Sequence, residues 1–289
     1  MSVHHILLAV SVPLIWGMGF VFAKGALEFF PPILLMAFRF LVTASVLVWF
    51  VKPPVALMGR IALIALISAA IQYSLTFTGL KDLDASIAVL VVQLEVPFMV
   101  LLGVVFLKER PDLQKYFGIV LAFVGVALIA GEPRLESAYL PLALVVGGAF
   151  FWAVGQVMIR SLGEVGGFTL IAWVAVMATP QLFIASAIFE ENQLELIKQA
   201  NWIVWGTVIY LGLVMTAIGY SIWYHLLGKY ELRQVGPFLL LLPVFSIIAS
   251  AIFLGEKMTV TSWIGGIIVI FGIGAITVEK WPEWLTARV

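Results

Sequence analysis

Cysteine is absent from the 289-residue chain, which excludes disulfides and thiol-ligated metals. Charge is also scarce. Only 11% of residues are Asp, Glu, Lys or Arg, against about 25% in a soluble domain, too few to cover a solvated surface. The formal net charge of zero gives no indication of a nucleic-acid partner. No glycine-rich loop ending in Lys-Ser or Lys-Thr is present, so ATP-driven chemistry is unsupported. The chain has three histidines, and no His/Asp/Glu cluster has metal-ligand spacing, so no metal, cofactor or catalytic residue is expected. What remains is 63% hydrophobic, with 25 Gly, 10 Trp and 21 Phe and a mean hydropathy of +1.14. This is the composition of an integral membrane protein, with small residues for close helix packing and rings for the headgroup layers.

A helix needs about 20 apolar residues to cross the hydrocarbon layer. Ten windows qualify: 6–24, 33–51, 61–80, 85–107, 115–131, 139–159, 168–189, 202–227, 232–254 and 261–278. The connectors hold the charges and the turn residues, such as Pro31-Pro32, Pro53-Pro54 and Gly131-Glu132-Pro133. The apolar runs are continuous rather than alternating, which argues against a barrel. The first window lacks a basic leader and a small-residue cleavage site, and its motif returns later, so it belongs to the fold.

With ten spans both termini share a face. That face carries Lys52, Arg60, Lys108, Arg110, Lys115, Arg160, Lys229, Arg233, Lys280 and Arg288. The other carries Lys24, Lys81, Arg134, Lys198 and Lys257. A two-to-one basic excess predicts that both termini are cytoplasmic, in a multi-pass inner-membrane protein anchored at its end by Trp281 and Trp284.

The chain repeats itself. IWGMGFVFAKG (15–25) returns as FWAVGQVMIRS (151–161), QYSLTF (72–77) as GYSIWY (219–224), and VVFLKER (104–110) as AIFLGEK (251–257). YFGIVLAFVGVALI (116–129) matches WIGGIIVIFGIGAI (263–276), with Gly118 and Gly125 over Gly265 and Gly272. Pro97 and Pro243 fall mid-span, one residue out of register. Each half, 1–132 and 133–289, therefore holds five helices. Five is odd, so the second half enters the membrane from the opposite face. Inverted repeats with a midplane site between them are a recurrent plan of secondary transporters.

The WG…K and W…R motifs, the FLKE and FLGE segments and the glycine-lined fifth and tenth spans resemble the drug/metabolite transporter (DMT) superfamily. The match is to its ten-span group with two EamA-type halves, and within it the chain is most similar to bacterial amino-acid exporters of the YddG type. The likeness covers essentially the whole chain. It implies a cavity enclosed by the first, third, fourth, sixth, eighth and ninth spans, with the fifth and tenth outside. It also implies export of neutral and aromatic amino acids by alternating access.

Polar residues inside the apolar runs are the candidates for chemistry. Glu95 stands in LVVQLEVPFMVLL (90–102) with Gln93 beside it and Pro97 just after. A charge at mid-bilayer costs roughly 2.5–3.5 kcal/mol, so Glu95 belongs in a cavity, as an ammonium or proton site, or against a neighbouring helix as a structural carboxyl. Leu241 takes its place in the second half. Pro97 and Pro243 deny donors to the carbonyls of Gln93 and Leu239 and predict hinges. Trp16, Trp152, Gln156, Tyr73, Tyr220 and Trp223 bring rings and hydrogen-bonding groups to the cavity spans. Arg39, whose repeat partner is Val174, is expected to snorkel to an interface or pair with an acid. Lys24 and Arg160 are expected to cap their own helices, and the glycine pairs to pack helices within the fold.

The expected partners are a small-molecule substrate and the lipid bilayer, with protons as a candidate co-substrate. Drugs, nucleosides or other metabolites are the alternative cargo. A membrane-embedded enzyme or sensor fits worse: the connectors are short and poor in catalytic clusters, and no output domain is apparent.

Overall fold

The computed structural model describes residues 1–277 apart from 109–110, 133–134, 136–137, 164 and 231. Trp281 and Trp284 lie outside the described residues, with Arg110, Arg134, Lys280 and Arg288 from the charge comparison. The described residues are helical and contain no strand.

Ten helices are long and apolar enough to cross a bilayer: Val3–Ala26, Pro32–Phe50, Val55–Asp82, Ala85–Phe106, Leu113–Ala130, Tyr139–Arg160, Gly167–Phe189, Trp202–Leu226, Gly236–Phe253 and Val260–Thr277, here spans 1 to 10. Local chemistry sets their ends. The side chains of Asp112 and Asn201 accept the backbone N–H groups of Lys115 and of Ile203 and Val204, capping spans 5 and 8, and Pro32 opens span 2, where its missing N–H costs nothing. Span 3 begins earlier than expected because a 3-10 turn, Val55–Leu57, leads into it. Span 9 begins later because Gly236–Leu240 forms a 3-10 turn after the short helix Leu232–Val235.

Spans 5 and 10 pack antiparallel along their glycines. A Cβ on Gly118 would lie 2.6 Å from the carbonyl oxygen of Gly272, and one on Gly125 would lie 2.7 Å from that of Gly265. The expected packing role holds. Elsewhere contacts recur in pairs, as two inverted repeats require. Gly19 of span 1 presses on the Met215 side chain of span 8, and its counterpart Gly155 of span 6 presses on Ser68 of span 3. Gly17 lies against the backbone of Leu242 and Ser246 in span 9. The first span of each five thus packs into the other five.

Spans 3 and 8 share a further device. Each is α-helical until a π-helical stretch, Leu66–Ile71 in one and Tyr210–Ile218 in the other, and each resumes at the repeated motif, at Gln72 and Gly219. π-stretches are rare and concentrate at functional sites. Spans 4 and 9 are also broken alike. A 13-residue helix follows each break, Glu95–Leu107 and Leu241–Phe253, and Pro97 and Pro243 are the third residues of these helices. In the fold the two prolines are therefore in register.

Candidate functional site

One cavity of about 400 Å³ lies among the spans, and every candidate predicted to face it does so: Glu95, Gln93, Trp16, Tyr73, Trp152, Gln156 and Tyr220. Trp223 joins them. The six expected spans contribute, but the enclosure is wider than expected. Phe40 of span 2, Leu170 and Val174 of span 7, and Ile273 and Thr277 of span 10 also line it. Spans 2 and 7 thus add to the wall, and span 10 contributes residues from its last turns. Span 5 stays outside.

Nine of the thirty lining residues carry aromatic rings. Trp16 lies 4.9 Å from Tyr220 and 6.2 Å from Trp223 between ring centroids, and Tyr73 lies 5.2 Å from Phe40 and 5.7 Å from Phe77. The Trp16 indole N–H donates to the carbonyl of Met215 at 3.1 Å, within the π-stretch of span 8. Its ring plane is therefore fixed. The fourth-span break delivers the polar edge: the helix ends at Val92 and restarts at Glu95, so Gln93 and Glu95 both turn to the cavity. The hinge expectation needs correcting in one detail. The Gln93 carbonyl is not freed by Pro97, because Val96 N–H takes it at 3.2 Å. The prolines do not touch the cavity; they follow the breaks that shape it.

Two cations sit elsewhere than expected. Arg39 is not at an interface, and among the described residues no acid pairs with it. It is 1% exposed, with Nε donating to Thr216 Oγ1 at 3.1 Å and Nη2 to the Tyr73 hydroxyl at 3.3 Å. The guanidinium carbon lies 4.5 Å from the centre of the Tyr73 ring. Lys24 caps a neighbour rather than its own helix, donating to the carbonyls of Leu80 and Lys81 at the end of span 3.

The cavity is one-sided. Its lining reaches Ile159, Tyr224, Gly236 and Thr277, at the ends of spans 6, 8, 9 and 10 on the face where the chain starts and span 10 finishes. Towards the far face the packing is solid, with Phe30, Leu80, Leu83, Ile87 and Leu90 all buried in one core. Three carboxylates tie that far face together. Glu190, after span 7, accepts the N–H groups of Ile33 (2.7 Å) and Leu34 (2.9 Å) at the start of span 2. Glu256, after span 9, accepts those of Ala85 (2.6 Å) and Ser86 (3.0 Å) at the start of span 4. Glu132, after span 5, accepts the hydroxyls of Thr259 and Ser262 at the start of span 10. Each joins one five-span set to the other, and each is an anion at a helix N-terminus, worth roughly 0.5–2 kcal/mol. Burial holds Glu190 above the usual carboxylate range, and the hydrogen bonds from Ser186, Ile33 and Leu34 only partly offset that.

Sequence reasoning missed these three acids, and also Gln72 and Ser68 in the lining. Gln72 donates to Thr76 Oγ1 at 3.1 Å, while its carbonyl oxygen has no partner among the described residues. For Gln72 and Glu256 the one signal available was their position inside repeated motifs; Glu190 carried none.

Ten membrane-length helices surround this one-sided cavity, the architecture of a membrane transporter. The chain belongs to the EamA-like transporter family, whose model matches residues 4–131 and again 140–278. It is 30% identical to a Salmonella typhimurium protein named "Probable amino-acid metabolite efflux pump", covering 98% of this chain and 97% of that one. An Escherichia coli protein of the same name is also 30% identical, covering 92% of each. An uncharacterized transporter of Archaeoglobus fulgidus is 27% identical, covering 93% of this chain and 96% of its own. A solved crystal structure superposes with a TM-score of 0.65 over 99% of both chains at 19% identity, a likeness of fold.

Proposed function

We propose that the protein exports neutral and aromatic amino acids across the inner membrane by alternating access, with both termini cytoplasmic and residues 1–132 and 133–289 as the two moving halves. One observation carries this reading: an aromatic cavity of small-molecule size, with a lone carboxylate at mid-depth, opens towards one face only. Aromatic walls suit aromatic side chains. Glu95 offers a partner for an ammonium group, and the two relatives named for amino-acid metabolite efflux supply the cargo class. With the termini in the cytoplasm the cavity is loaded from inside, and release needs the far face to part. The three carboxylate caps are what must let go. They hold backbone N–H and hydroxyl groups at helix starts rather than packed rings, so they can break and re-form in water without unfolding a helix. Proton exchange through Glu95 is the candidate coupling.

Purified protein in liposomes is expected to move labelled phenylalanine and other neutral amino acids down their gradients. Failure across a broad amino-acid panel, with movement of nucleosides or drugs instead, would transfer the assignment to the alternative cargo. For the coupling, Glu95→Gln should flatten the pH dependence of transport. An unaltered pH profile would remove the carboxylate from the proton path.

A further inference from the structure

A guanidinium is charged at every accessible pH, and burying it without a counter-ion is costly unless the surroundings compensate. Arg39 is 1% exposed, and among the described residues it has no carboxylate in hydrogen-bonding contact. Its contacts are instead Thr216, the Met36 sulfur and the faces of Tyr73 and Phe40. Thr216, Tyr73 and Phe40 all line the cavity. The positive charge therefore sits directly behind the wall, un-neutralised.

The hydrogen bonds decide where that charge is expressed. Thr216 accepts from Arg39 and gives its own proton to the carbonyl of Leu211 at 2.8 Å, so it has no proton left for a ligand. Tyr73 accepts from Arg39 at 3.3 Å and finds no acceptor for its own proton among the described residues. A hydroxyl oxygen that receives a bond from a cation becomes a stronger donor, and this one faces the cavity. Glu95 is the opposite pole: it lines the same cavity and makes no hydrogen bond to a described residue. Tyr73, Tyr220 and Glu95 all line this cavity, so the two poles face one shared space.

We propose that Arg39 is a positioning residue that turns the Tyr73 hydroxyl into the cavity's anion-facing donor, so that a substrate carboxylate docks at Tyr73 and its ammonium at Glu95. The inference rests on the amino-acid reading above and adds the recognition of a zwitterion at a defined orientation. An aromatic box alone would accept any flat apolar solute. The two poles demand a molecule charged at both ends of a short backbone.

Transport by the full chain in liposomes tests it with two substrates sharing one side chain, phenylalanine and phenethylamine, the second lacking the carboxylate. Tyr73→Phe keeps the ring under the guanidinium and removes only the hydroxyl. It is expected to raise KM for phenylalanine by about tenfold, to leave the maximal rate nearly unchanged, and to leave KM for phenethylamine within about twofold. Arg39→Lys retains a charge without the planar fork and should give an intermediate loss with the same preference between substrates. If Tyr73→Phe alters both substrates equally, or neither, the carboxylate is not read at Tyr73 and the proposal is overturned, while the amino-acid reading stands. A wild-type protein that moves no amino acid would overturn both.

Discussion

Spans 4 and 9 are built alike and equipped differently. Each is broken before a 13-residue helix whose third residue is proline, yet span 4 carries Gln93 and Glu95 where span 9 has Leu239 and Leu241. The same holds for Arg39 against Val174, whereas Tyr73 and Tyr220 are matched and share the cavity. The repeat supplies breaks, π-stretches and aromatic walls twice. It supplies the charged groups once, all from the first five spans. In the proposed reading, symmetry serves the motion and asymmetry serves recognition.

The largest expected effect comes from making span 4 like span 9. Glu95→Leu should lower amino-acid transport by at least about tenfold while leaving the melting temperature unchanged or raised, since a charge leaves the membrane interior. The added change Leu241→Glu should not restore transport, because Leu241 is not among the residues lining the cavity and Val174 stands where the second half would need Arg39. Recovery in the double variant would mean that the two spans are interchangeable.

Next are the matched glycines. Gly155→Ala drives a methyl into the Cβ of Ser68, which cannot move without its backbone, whereas Gly19→Ala meets the flexible end of Met215. Overpacking of this kind costs about 1–3 kcal/mol, and the Gly155 variant should melt at the lower temperature. Equal losses would show that the two contacts are equally yielding.

The contrast between the open and closed faces gives a smaller effect. The cysteine-free chain is a clean background for labelling, and a cysteine placed at the buried Leu90 should react slowly with an impermeant thiol reagent applied at the far face. Glu256→Gln, which weakens one cap, should speed that reaction by about 2- to 10-fold. No acceleration would release Glu256 from any part in closure. The smallest effect is the pH dependence of the same reaction. Burial raises Glu190 in the closed form, so the closed form binds the proton more tightly than an open form with a solvated carboxylate. Acidification from neutral towards the usual carboxylate range therefore favours closure and should slow labelling by up to about twofold. Glu190→Gln should erase that dependence.

Much of this was readable from sequence because the governing rule is length. A run of about 20 apolar residues has no stable state in lipid but a helix, and all ten spans follow from it. The cavity residues were readable for a related reason, since polar side chains such as Gln93, Glu95 and Gln156 avoid acyl chains. What escaped depends on packing between spans far apart in the chain. Arg39 was placed at an interface or against an acid because nothing near it in sequence forecasts Thr216, 177 residues away. Glu190 and Glu256 read as ordinary loop acids, since their partners are helix starts more than 150 residues distant. The π-stretches leave no periodic trace at all, their extra residue being absorbed within continuous apolar runs.

The seam between spans 5 and 10 has a mechanical consequence. Its nearest opposed atoms include main-chain oxygens alongside stiff β-branched side chains, which have few rotamers to change, so these two rods slide past each other by repacking less readily than leucine-lined neighbours. They form a fixed keel, one timber from each half of the hull. In the transport cycle proposed above, whatever swings to admit or discharge cargo pivots beside it.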